Sequence, residues 1–112
     1  MKVSFDGIGE NLITFYNGGS AKAGCMVKMS EAKTVDLCGE NEKFIGLCVA
    51  ADGDYAAVQT AGYVSVGYTG GAPAVGWVKL AGNGESVCCS DAGREYPVMD
   101  VDEINMTVGF ML

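Results

Sequence analysis

The sequence predicts an all-β fold, a compact small β-barrel or β-sandwich built from many short antiparallel strands. Three observations predict it. Strand-like runs recur at intervals of about eight to twelve residues, the rhythm of sandwiches and barrels. Seventeen glycines stand against two prolines, scattered rather than clustered, which suits many tight turns. Only one segment, 30–37, competes as a helix.

The strands are expected, in order, at 11–16, 24–29, 43–50, 54–59, 62–68, 75–80, 86–89, 95–101 and 106–111. Alternation is cleanest in Tyr63-Val64-Ser65-Val66-Gly67-Tyr68, where the two valines share one face. It recurs in Val98-Met99-Asp100-Val101-Asp102, which sets Asp100 and Asp102 opposite Val101. In segment 30–37 Ser30 offers an N-cap, but Lys33 stands where a capping box needs Glu or Gln. Thr34 and Val35 fit a short strand equally well, so one helical turn at most is expected. Turns fall at Asn17-Gly18-Gly19, Asp52-Gly53-Asp54, Gly70-Gly71, Gly82-Asn83-Gly84 and Ala92-Gly93, all residues that tolerate positive φ. A branched residue, a glycine and a large apolar residue echo at Ile45-Gly46-Leu47, Val66-Gly67-Tyr68, Val75-Gly76-Trp77 and Val108-Gly109-Phe110. Their unequal spacing argues against a solenoid or propeller, and mid-strand glycines read as bulges or close backbone approaches. The expected layout is a single β domain over 11–112, preceded by an N-terminal arm over 1–10.

At 112 residues with 49% hydrophobic content, the chain can bury a core without metals or disulfides. Net charge is −7, with no basic cluster, which argues against nucleic acid and anionic membrane as partners. No secretory signal and no run of about 18 apolar residues is visible, so synthesis in a cytoplasm is expected, a bacterial one on the resemblance given below. Five cysteines lack C-x-x-C spacing and histidine is absent, a poor composition for structural zinc. Cys25 and Cys48 lie in core-like contexts, whereas adjacent Cys88 and Cys89 must point to opposite faces. Reduced thiols are expected.

No spacing announces a chemistry. Without histidine, Ser-His and Cys-His arrangements are impossible, and cations are sparse around the cysteines. Asp100, Asp102 and Glu103, and separately Asp52 and Asp54, invite calcium, yet both read more simply as strand edge and hairpin turn. Gly82-Asn83-Gly84-Glu85 lacks the Lys-Ser/Thr of a phosphate loop. No catalytic residue, cofactor or metal is expected. Trp77, Tyr63 and Tyr68, with Tyr55, are the candidate binding residues, since Trp and Tyr dominate interfaces. The simpler expectation is that Trp77 fills the core.

An ordered series of strands and turns carries a resemblance. Ala23-Gly24-Cys25-Met26-Val27, Phe44-Ile45-Gly46-Leu47, Gln59-Thr60-Ala61-Gly62-Tyr63-Val64, Gly71-Ala72-Pro73-Ala74-Val75-Gly76-Trp77 and the segment 101–112 follow one another. This resembles the small glycine-rich capsid cement, or decoration, proteins of phages and prophages. The resemblance implies a β-rich, non-enzymatic head-stabilising protein on the virion. It further implies contact with the major capsid protein and assembly as a homo-oligomer, with a trimer favoured. The alternative is a small β-sandwich module that binds carbohydrate or peptide.

Overall fold

The computed structural model describes residues 11–112, all of it strand, turn and loop; the expected arm over 1–10 lies outside the described residues. Among the described residues ten strands form, β1 Asn11–Asn17, β2 Met26–Glu31, β3 Thr34–Leu37, β4 Gly46–Ala51, β5 Tyr55–Ala61, β6 Tyr63–Thr69, β7 Gly76–Asn83, β8 Ser86–Cys89, β9 Arg94–Asp102 and β10 Thr107–Met111. The all-β expectation is met. The segment that left helix and strand open is extended rather than helical: Ser30 and Glu31 end β2, Thr34–Leu37 is β3, and Lys33 in the turn between them has φ 58°.

The ten strands close into two barrels rather than one. The first runs β1-β3-β2-β4-β5 and the second β10-β6-β8-β7-β9, each closed on itself. The two share one connectivity. The opening strand of each pairs parallel with the third and antiparallel with the fifth, and the middle strands pair antiparallel.

The registers repeat too. Ile13 faces Val58 and Phe15 faces Ala56, as Val64 faces Phe110 and Val66 faces Val108. In the first barrel Cys48 pairs with Val58 and Ala50 with Ala57, so that Val49 bulges out. In the second, Val98 pairs with Phe110 and Asp100 with Gly109, so that Met99 bulges out. A bulge that recurs at one place in both halves is a built feature, since it unpairs a residue and bends the strand. Each bulged strand then ends in an Asx turn. Asp52 Oδ1 accepts from the N–H groups of Asp54 and Tyr55 at 2.8 and 2.7 Å. Asp102 Oδ1 accepts from Ile104 and Asn105 at 3.0 and 3.1 Å. Shared connectivity, register, bulge and turn make the fold an internal duplication.

The cores differ in bulk. The first barrel is filled by Ala21, Val27, Val35, Cys48, Ala56 and Val58, with Phe15 and Ile45 alongside. The second holds Val64, Val66, Tyr68, Leu80, Val87, Tyr96, Val98, Val108 and Phe110. At matching places Val58 stands for Phe110, Ala56 for Val108 and Gly46 for Tyr96. Gly46 has no alternative, because a Cβ there would lie 2.1 Å from the Gln59 carbonyl oxygen and 2.8 Å from Val58 Cγ1.

The barrels are joined by backbone and by core. Met26 N–H donates to Gly84 O at 3.0 Å, Gly84 N–H to Cys38 O at 3.1 Å, and Gly82 N–H to Glu42 O at 2.7 Å. Gly82 packs so closely on Cys38 that a Cβ would come within 2.8 Å of its Sγ. Met26, Cys38 and Phe44 belong to the second barrel's core cluster although they come from the first half of the chain. Phe44 stacks on Tyr96 at 5.0 Å between ring centroids and tilts against Phe110 at 6.0 Å. At the crossover from β5 to β6, buried Gln59 Nε2 donates to Ala61 O and Tyr63 O, both at 3.1 Å.

Candidate functional site

Two outer sheet faces concentrate exposed apolar side chains, one on each barrel. On the second, β7 sends Val78 and Leu80 inward, which by alternation turns Trp77 outward. Trp77 is 72% exposed and lies opposite Pro97 across the β7–β9 ladder. This corrects the expectation that the tryptophan fills the core, because the inward positions of its strand belong to its neighbours. An open depression of about 450 Å³ beside Trp77 is lined also by Val78, Lys79, Cys89, Ser90 and Asp91. A second depression, lined by Pro73, Val75, Ile104 and the acidic run Asp100 to Glu103, continues along the same barrel.

On the first barrel Tyr16 and Tyr55 face each other across the β1–β5 ladder and stack at 5.7 Å, both half-exposed. Leu12, Thr14 and Ala57 extend that face along the same ladder. An open depression of about 340 Å³ lies beside it, lined by Ile13, Thr14, Phe15, Tyr16, Lys33 and Tyr55.

The four residues singled out in the sequence are therefore not brought together as one site, Tyr55 lying on the first barrel against Tyr16. Trp77 is at the surface, Tyr63 is half-buried at the barrel crossover, and Tyr68 is buried in the second core beside Val64 and Val66. Tyr68 shares the parity of those valines, so the alternation that paired them already assigned it inward. Tyr16 belongs to the exposed set but was not singled out; its register opposite Tyr55 is a tertiary fact with no local signal.

The ionisable groups serve the scaffold. Burial pushes the thiols of Cys25, Cys48 and Cys89 up, and that of Cys38 up to about 11, away from the nucleophilic thiolate. Hydroxyls of Ser30 and Ser20 hold the Asp36 carboxyl below its ordinary range, with Ser20 Oγ donating to Oδ1 at 2.7 Å. Glu42 is lowered by Lys28, whose ammonium lies 2.6 Å from its Oε2, and Lys28 is raised by the same contact. Turn N–H groups lower Asp52 and Asp102. Of the acidic residues that invite calcium, Asp52 and Asp102 are thus engaged as turn acceptors. Among the described residues no group of three or more His, Cys, Asp or Glu is placed to hold a metal.

No family model, curated protein or solved structure matches the chain.

Proposed function

We propose that this chain is a non-enzymatic structural protein that decorates or stabilises a tailed-phage or prophage capsid through protein–protein contacts. The supporting observation is the arrangement of its exposed apolar residues. They lie on open outer sheet faces of two rigid barrels, with Trp77, Tyr16 and Tyr55 presented outward. Rigid aromatics on shallow surfaces suit contact with another protein, because they bury much area at little entropic cost. The acidic surface, from a net charge of −7, keeps such a domain dispersed until it meets its lattice. In this reading the partner is the major capsid protein, the location is the virion, and the assembled form is a homo-oligomer, with a trimer favoured.

The test is quantitative mass spectrometry of particles purified after prophage induction in the source strain. Recovery in a fixed ratio to the major capsid protein, and loss of head stability when the protein is stripped, are the expected results. Heads that form and persist without it, with none recovered, would overturn the proposal.

A second reading is a carbohydrate- or peptide-binding module. It is favoured by Trp77 standing beside the polar side chains Lys79, Ser90 and Asp91 around one depression. Saturable quenching of the single tryptophan by a sugar or peptide would select it over the first.

A further inference from the structure

Two of the five cysteines oppose each other where β2 and β4 meet. The ladder pairs Met26 with Leu47 and Val27 with Gly46, so the next opposed positions are Cys25 and Cys48. Backbone bonds close that step. Cys48 N–H donates to Cys25 O at 2.9 Å, and Gly24 N–H donates to Cys48 O at 2.8 Å. Gly24 and Cys25 thus oppose the single residue Cys48, a bulge whose first residue is a glycine at φ 87°. Opposed residues of an antiparallel pair share a face. Here that face is the interior of the first barrel, because Cys48 and Val27, two residues beyond Cys25, both belong to its core.

Cys25 is 3% exposed and Cys48 0%, and both thiols are free. Cα atoms of opposed residues lie about 4.5–5.5 Å apart, within the span that a disulfide bridges. Burial raises the Cys48 thiol, and the neighbouring Cys25 thiol adds to it. The other cysteines have no such counterpart. Cys88 pairs with Ala81 and Thr69, and Cys89 with Leu80. Cys38 packs on Gly82 and its Sγ donates to Lys43 O at 3.8 Å. A bridge from Cys25 to Cys48 would close a loop that holds β3 together with Met26, Cys38 and Phe44, the residues lent to the second barrel's core.

We infer that Cys25 and Cys48 are a redox-active pair, converted by an oxidant of the glutathione disulfide class into a disulfide that staples the first barrel. Cys25 ends a turn, its N–H donating to Lys22 O at 3.2 Å, and local opening of that turn exposes it first. Its thiolate attacks glutathione disulfide, forming a mixed disulfide and releasing one glutathione thiolate. The Cys48 thiolate then attacks the Cys25 sulfur and expels the second. The two cysteine protons end on the two glutathione thiols. The tie falls on the barrel with the smaller core. The inference does not rest on the virion reading, since it concerns the isolated chain.

The experiment incubates the purified, folded full chain with glutathione disulfide, blocks the remaining thiols with N-ethylmaleimide and maps tryptic peptides by mass spectrometry. Trypsin places Cys25, Cys38 and Cys48 on separate peptides, 23–28, 34–43 and 44–79, and Cys88 with Cys89 on 80–94. A Cys88→Ser, Cys89→Ser double variant removes the more accessible thiols and leaves the buried pair untouched. Both proteins are expected to yield peptide 23–28 linked to 44–79, with Cys38 carrying maleimide. The melting temperature should rise by roughly 5–15 °C, and dithiothreitol should reverse the rise. Absence of that link from the folded chain, a link through Cys38 instead, or a link that forms only in urea would each overturn the inference. So would an unchanged melting temperature at complete linkage.

Discussion

The first barrel has a core of alanines, valines and a cysteine, while the second is filled by Tyr68, Tyr96, Phe110 and Leu80 and draws Met26 and Phe44 from its neighbour. One topology thus carries two very different apolar loads. Apolar burial contributes roughly 25 cal/mol per Å², so the barrel with larger buried side chains carries more of the stability. The difference teaches that the duplicated halves have divided their tasks. The second holds the larger core, which Met26 and Phe44 of the first complete.

Truncating Phe110 to Ala is the largest blow to this arrangement, since it removes a fully buried ring that touches both Phe44 and Tyr96. A loss of about 3–5 kcal/mol in urea-unfolding free energy is expected, against about 1–3 for Val58→Ala at the matching place. Equal losses would erase the comparison. Next in size is Gly46→Ala, whose new methyl meets the Gln59 carbonyl; a cost of about 1–3 kcal/mol is expected from overpacking. Gly53→Ala, with open space around it and no positive φ, should stay within about 0.5 kcal/mol.

Acid should act more on the first barrel than on the second. Asp36, Glu42 and Asp52 are lowered in the first half of the chain, and Asp102 in the second. A carboxyl lowered by folding stabilises above its unfolded value, near pH 4, and that contribution disappears as pH falls through the folded value. Lys28 is raised, so its share is present below its unfolded value and is lost only as pH climbs into the alkaline range. The melting temperature is therefore expected to fall below about pH 4, and Asp36→Asn combined with Asp52→Asn to flatten that fall more than Asp102→Asn does. An equal effect from Asp102→Asn would count against the asymmetry. The smallest expected effect is at Trp77, where substitution by Ala should shift stability by no more than about 0.5 kcal/mol. Its native fluorescence should be red-shifted and readily quenched by acrylamide, and a blue-shifted emission would place the ring elsewhere.

Much of the strand order was legible because local signals set it. Alternation and glycine-rich turns located nine strands to within a few residues, and β3 stayed ambiguous because Thr34 and Val35 fit two structures. The duplication was not legible, for a physical reason. It resides in hydrogen-bond register, in a bulge and in two Asx turns, while the side chains at matched places diverge as far as Gly46 and Tyr96. The glycine echoes noticed in the sequence fall on β4, β6, β7 and β10 at unmatched positions, so they are not its trace. Trp77 was misjudged because residue type outweighed strand parity, although inward Val78 and Leu80 already imply that it points outward.

Native-state hydrogen exchange, followed strand by strand, tests the division of tasks most directly. Amides are protected in proportion to the free energy of the opening that exposes them. The account predicts that amides of β6, β9 and β10, around Phe110, exchange only by global unfolding. Those of β1, β4 and β5 should open earlier, at lower free energy. Uniform protection across both barrels, or slower exchange in the first, would contradict it.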